Sequence, residues 1–238
     1  MLHLTIGPDV AAAAPGTRLG ILLMTGAQVS AHEAALWAEI EALAARLAAL
    51  YPDGRYGDDE TLQKVRRLYH RLGVDPTKWR PSPEALVRRV TTGRPLYQVN
   101  TAVDVINWCS LETRLPYGLY DAARLSGEVV FRLGRPDETY KGIRKDILTA
   151  GGKPILADDL GPFGSPTADS ERTMVRLETT ELLVVVFGPA EVDEAEVIRA
   201  TRLARERLAR WCGARAAAEQ ILRATTVEEG SSAGARGA

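Results

Sequence analysis

Asn100, Asp104 and Asn107 are spaced by four and three residues, so on a helix they share one face while Val103, Val105, Ile106 and Trp108 point elsewhere. A carboxylate between two amides on one helical face has two readings: capping and backbone satisfaction, or the polar wall of a ligand pocket. A second polar cluster runs from Asp158-Asp159 through Gly161-Pro162-Phe163-Gly164-Ser165-Pro166-Thr167 to Asp169-Ser170-Glu171-Arg172-Thr173. Loops this rich in Gly, Pro and short polar residues, lying between strands, carry sites because the strands hold them rigidly. Ordinary Asp, Ser and Thr turn chemistry accounts for the same composition. Neighbours on a strand face opposite sides, so Asp158 and Asp159 do not form a shared metal site, and no metal or cofactor is expected.

Other chemistries lose weight. The chain has no GxGxxG after a strand, no Walker-type Gly-Lys-Ser/Thr, no HExxH and no GxSxG. His3, His32 and His70 are scattered, and the polar faces of helices explain the last two. Cys109 and Cys212 lie far apart without metal-ligand spacing, which fits a reducing compartment. No leader-like or membrane-length apolar run is evident, so the cytoplasm is the expected location. A formal net charge of −1 gives no overall cationic field for nucleic acid. One local field exists: from Lys64 to Arg94 there are nine Lys/Arg against Asp75 and Glu84. Arg66, Arg67, Arg71, Arg80, Arg88 and Arg89 in this stretch are either solvated helix faces or an RNA-facing patch.

The elements that must position these groups follow from periodicity. Arg18–Met24 reads as a buried strand, and Ser30 with Glu33 as a capping box before a helix striped by Leu36, Ile40, Leu43, Leu47 and Leu50. Glu60–Leu72 forms a second amphipathic helix, Ser82-Pro83 caps a short helix to Val90, and Thr101 with Asp104 starts another that Pro116 closes. Strands are expected at 128–133, 154–157, 174–177 and 182–187, then a long helix or helix pair over 192–224. Together these make one α+β domain over residues 1–224, with a flexible tail at 225–238.

The order of motifs resembles the B3/B4 module, the tRNA-editing module of the phenylalanyl-tRNA synthetase β-subunit. The resemblance rests on Asn100-Thr101-Ala102-Val103-Asp104-Val105-Ile106-Asn107, then Pro116-Tyr117-Gly118-Leu119-Tyr120-Asp121, Ala157-Asp158, the Gly-rich loop and Thr173. These motifs span about 81–189, with an N-terminal strand-helix extension and a C-terminal helix outside them. The resemblance implies a B3/B4-like mixed sheet core with flanking helices and a pocket that hydrolyses the ester of a wrongly charged tRNA. Substrate-binding candidates are Asn100, Asp104, Asn107, Tyr120, Asp121, Phe163, Ser165, Thr167 and Thr173; Ser170, Glu171 and Arg172 are candidates for the polar work of catalysis. Turn capping explains Asp121 equally well, and a buried acid such as Asp169 would explain Arg172. The implied partner is aminoacyl-tRNA or the tRNA acceptor end. A non-catalytic binder of tRNA, of a free amino acid or of a related small molecule is the alternative, and neither DNA nor membrane is an expected partner. Two positions depart from the family pattern: Gly118 stands where the synthetase usually has His, and Ser165-Pro166 where it has Gly-Glu.

Overall fold

The computed structural model describes residues 3–144 and 146–225; the tail expected from residue 225 onward therefore lies, beyond Thr225, outside the described residues. The elements run β1 (Leu4–Ile6), α1 (Pro8–Ala13), β2 (Arg18–Thr25), α2 (Ala34–Leu50), α3 (Glu60–Arg71), α4 (Ser82–Thr91), α5 (Thr101–Thr113) and β3 (Tyr117–Asp121). There follow β4 (Val129–Leu133), β5 (Thr139–Lys141), β6 (Ile147–Thr149), β7 (Pro154–Asp158), β8 (Gly161–Gly164), β9 (Glu181–Gly188), α6 (Glu194–Cys212) and β10 (Arg215–Arg223). Helices and sheets mix as an α+β fold.

The unbroken apolar run of β9 determines the layering. Its side chains alternate between two cores: Leu182, Val184 and Val186 in one, Leu183, Val185 and Phe187 in the other. Each fully buried side chain of this kind contributes roughly 1.5–3 kcal/mol. β9 lies inside the antiparallel sheet β10-β2-β9-β3, which forms the middle layer. Helices α2 to α6 cover one face, packing Leu36, Ile40, Val65, Val87, Val105 and Ala204 against it. The second sheet, β1-β4-β7-β8, covers the other face with Phe131, Leu156 and Phe163. The β5-β6 hairpin packs on the outside of that sheet through Tyr140 and Ala150 against Ile155 and Ala157. No helix among the described residues is long and apolar enough to cross a membrane.

The structure corrects several local expectations. Glu33, not Ser30, caps α2 by accepting the Ala35 N–H at 3.2 Å, whereas Ser30 pairs its backbone with Thr101. Pro81 is the cap residue of α4 and Ser82 is already inside the helix. Asn100 rather than Thr101 caps α5, and that helix ends at Arg114, in the left-handed conformation at φ 57°, before Pro116 is reached. Residues 174–177 are not a strand: no neighbouring strand pairs with them, and the Val175 carbonyl accepts from the Asn100 side chain instead. The expected helix over 192–224 stops at Cys212, because Gly213 turns left-handed at φ 61°. Residues 215–223 then extend along the open edge of β2 in antiparallel register, from Arg215 opposite Thr25 to Arg223 opposite Arg18. Ladder pairing overrides the helical preference of Ala216-Ala217-Ala218.

Candidate functional site

Asn100 uses both ends of its amide. Its Oδ1 accepts the Val103 N–H at 2.9 Å, capping α5, and its Nδ2 donates to the Val175 carbonyl at 3.3 Å. An aspartate could make the first bond but not the second. The amide thus ties the start of α5 to the segment just beyond Thr173. One turn on, Asp104 is 3% exposed, and its Oδ1 accepts the Val99 N–H at 2.9 Å. Burial pushes its carboxyl pKa up to about 6, with the Val99 N–H and nearby His32 opposing the rise. Asn107 is half-buried on the same face, and its side chain makes no hydrogen bond among the described residues. Thr101 locks this corner: its Oγ1 accepts from the Ser30 N–H at 3.0 Å and from Cys212 Sγ at 3.6 Å.

Three buried phenols hold the loop after β8. Tyr120 donates to Asp169 Oδ1 at 2.9 Å, Tyr140 donates to the Ala168 carbonyl at 2.9 Å, and the Tyr69 hydroxyl meets Thr167 Oγ1 at 2.7 Å. Burial raises all three hydroxyl pKa values, that of Tyr140 to about 12, so they remain neutral. Ser165 Oγ accepts from the N–H groups of Thr167 and Ala168 at 3.2 and 2.9 Å and donates to the Ala168 carbonyl, folding residues 165–168 into a closed turn. Phe163 meets the Tyr120 ring edge-on, centroids 4.9 Å apart. Thr173 Oγ1 donates to the Phe163 carbonyl at 3.3 Å.

The Tyr120 ring lies folded between two glycines. A Cβ on Gly118 would stand 2.2 Å from the Tyr120 hydroxyl, and one on Gly164 would stand 2.4 Å from the ring. The phenol therefore fills the space where a side chain at position 118 would begin. Gly118→Ala is expected to lower stability by about 1–3 kcal/mol, since the ring must move and release Asp169. Urea unfolding measures it; a cost under a few tenths would show that the ring is not wedged there.

The residues expected to do catalytic work are held by structural bonds. Ser170 Oγ accepts the Arg172 N–H at 3.1 Å and so caps the short turn Glu171–Thr173. Arg172 grips Asp158 with two bonds of 3.0 and 2.8 Å and also donates to the Arg124 carbonyl at 3.0 Å. The Asp158 side chain is 0% exposed and accepts in addition from Ser126 and Leu160 N–H groups. The buried acid that engages Arg172 is thus Asp158. Glu171 pairs at the surface with Lys141 at 2.8 Å, which holds its carboxyl below the usual range. Asp121 caps the turn after β3 through the Ala123 N–H and accepts from Thr179 Oγ1 at 2.9 Å and from Arg124 Nε.

The six arginines divide into two groups. Arg66 and Arg80 converge on Glu84, a residue 2% exposed, at 2.7 and 3.4 Å. Arg67 and Arg71 converge on Glu191 at 3.3 and 2.7 Å. Arg88 is exposed, and Arg89 stacks on the Tyr97 ring at 3.8 Å while donating to its hydroxyl at 2.8 Å. A groove of about 650 Å³ opens beside this second group, between α2 and residues 93–98. A smaller one, about 380 Å³, lies between the start of α3, the end of α5 and α6.

The structure thus joins the α5 face to the end of the polar loop through Asn100 and Val175, while the loop's interior is anchored separately by Tyr69, Tyr120 and Tyr140. The sequence reading missed Tyr69 and Tyr140. Tyr69 carried a signal, since it falls four residues after Val65 on the buried stripe of α3 and a buried phenol needs a partner; Tyr140, in a three-residue strand, carried none.

The family model described as B3/4 domain matches residues 64–226. The phenylalanine–tRNA ligase beta subunit of Dechloromonas aromatica (strain RCB) is 29% identical over 116 residues, covering 47% of this chain and 14% of the subunit. The corresponding subunit of Nitrobacter winogradskyi is 33% identical over 121 residues, 50% of this chain and 15% of the subunit. The protein YhzB of Bacillus subtilis is 22% identical over 148 residues, covering 62% of this chain and 65% of YhzB. The chain therefore spans about a seventh of the length of the synthetase subunits. Among solved structures, an N-terminal fragment of the phenylalanyl-tRNA synthetase beta-subunit from Pyrococcus horikoshii aligns with 92% of this chain and 54% of the fragment, at TM-score 0.48 and 12% identity.

Proposed function

This chain belongs to the B3/4 domain family, and from that premise we propose that it binds the aminoacylated end of tRNA and hydrolyses a mischarged ester in trans. The observation that carries the reading is the joining of Asn100 to the Val175 backbone beside a carboxyl, Asp104, with a pKa near neutrality. An activated ester needs little beyond a positioned water and a base, and a carboxyl with a pKa of about 6 is well matched to accept a proton at neutral pH. In this reading Asp104 is the base, Asn107 orients the ligand, Asn100 ties α5 to the 173–175 segment, and Ser170, Arg172 and Thr173 shape the loop. Glu171 lies at its rim. The purified chain should release amino acid from some member of a panel of mischarged tRNAs. Failure on the whole panel, across pH 5–8, would remove the hydrolytic reading.

A specific observation favours a second reading. Ser170 and Arg172 are fully committed to structural bonds, and Tyr120 occupies the space over Gly118. A chain so arranged suits a non-catalytic binder of tRNA or of an amino-acid-like molecule. Saturable binding without turnover is its signature; a steep fall of affinity with salt would indicate phosphate contacts.

A further inference from the structure

We propose that the groove between α2 and residues 93–98 is a docking surface for a single-stranded RNA end, with Arg88, Arg89 and Arg94 meeting phosphates and Tyr97 stacking a base. This deepens the tRNA reading and rests on it. The argument begins with charge. Four of the arginines in the basic stretch are engaged two to a carboxylate, by Glu84 and Glu191. Arg88, Arg89 and Arg94 meet no carboxylate among the described residues; Arg94 lines the groove, Arg89 donates to the carbonyl of Pro95 in its wall, and Arg88 is exposed one residue before Arg89 on α4. Arg88, Arg89 and Arg94 therefore offer positive charge with no carboxylate beside it at this end of the stretch.

Beside the groove, between its lining residues Leu96 and Gln98, stands a ring that unpaired bases could use. Tyr97 is 62% exposed although it belongs to a chain with a well-filled core, and the Arg89 guanidinium over the ring fixes its plane. A ring held this way is a stacking platform, which a base in a duplex cannot use because its faces are already covered. The floor is smooth and apolar, made by Ala44, Ala45 and Ala48 of α2 with Val90 and Leu96. Trp37 stands at the same wall, its indole N–H donating to Glu41 at 3.0 Å, so the one carboxylate lining the groove is occupied in orienting an aromatic ring.

Position supports the same occupant. Gln98 lines the groove and Asn100 is two residues further on, at most about 7 Å along an extended chain. A strand lying along residues 94–98 would bring its terminus toward the start of α5, whose face carries the half-buried Asn107.

Fluorescence anisotropy with a labelled single-stranded RNA octamer ending in CCA, and with the same octamer annealed to its complement, tests the assignment on the full chain. The single strand should bind at least tenfold tighter than the duplex and quench tryptophan emission. Tyr97→Ala should weaken single-strand binding by roughly 5- to 100-fold, and the double variant Arg88→Ala/Arg94→Ala should lower the salt slope by roughly one to two. Arg202→Ala, an exposed arginine on α6, serves as the control and should change neither. Equal binding of the octamer by wild type and both groove variants, with wild-type melting temperatures, would place RNA elsewhere and leave the tRNA reading standing. Equal affinity for duplex and single strand would overturn the stacking role. Absence of any RNA binding would remove the surface and the tRNA reading together, and a dimer that Tyr97→Ala dissociates would assign the groove to a second copy of the chain.

Discussion

Arg172→Ala is expected to reduce the unfolding free energy by about 3–5 kcal/mol, the cost of leaving a buried charge without its partner. Asp158 is fully buried, and the two guanidinium bonds to it are the only cationic contacts it has among the described residues. Replacing both members, Arg172→Met with Asp158→Asn, should recover part of the loss, because the amide oxygen still accepts backbone N–H groups while no charge is left buried without a partner. Urea titrations of the two variants decide it: a single substitution costing under about 1 kcal/mol would mean that water reaches Asp158. At temperatures where Arg172→Ala stays folded, its hydrolytic rate should remain within a few-fold of wild type, since the side chain faces Asp158 and the Arg124 carbonyl. A rate collapse in the folded variant would return Arg172 to the chemistry.

Asp104→Asn should move stability and activity in opposite directions. The folded carboxyl titrates at about 6 against an ordinary value of 3.8. The folded state therefore binds more protons than the unfolded state between these values, and stability is fully present at the acidic end of the window and declines as pH rises through it. The decline amounts to about 3 kcal/mol across the window. Asparagine retains an acceptor for the Val99 N–H and has no proton to lose, so the variant should gain on wild type by that amount between about pH 4 and pH 6 and keep the advantage above. Deacylation should rise with pH and level off above about 6 in the wild type, and drop by roughly 10²- to 10⁴-fold in the variant. Parallel stability curves for the two proteins would refute the raised pKa; an unchanged rate would remove Asp104 as base while leaving the binding reading intact.

How far the sequence led depended on whether a signal was local. The stripes of α2 and α3 were legible because one-sided burial imposes a period of 3.6, and β9 because burial on both faces makes a short unbroken apolar run. The segment 174–177 looked like a strand because it is extended and part apolar, yet its carbonyl at Val175 is taken by an amide 75 residues away, which composition does not announce. β10 was hidden for the opposite reason: its alanines favour helix, and most of its side chains are exposed, so no alternation marks it. At the site, the shared face of Asn100, Asp104 and Asn107 could be read from spacing. The wedging of Tyr120 between Gly118 and Gly164 could not, because it depends on β8 folding back across β3. The basic stretch shows the same limit, since its formal excess already deducts Glu84 but not Glu191, which lies far outside it in sequence and pairs with Arg67 and Arg71.

β10 closes the flank of β2 along eight paired positions while sending only Ile221 and Leu222 toward the interior. Its hold is main-chain pairing, reinforced by Arg223 with Glu194 and Arg205 with Glu219. An appendage that satisfies a ribbon's rim yet contributes little to the core is the part of a molecule most readily peeled away and exchanged for its counterpart on another copy. Seated, β10 is itself the outermost strand of the sheet; unseated, it would leave the N–H and C=O groups of β2 open to the same segment of a second copy.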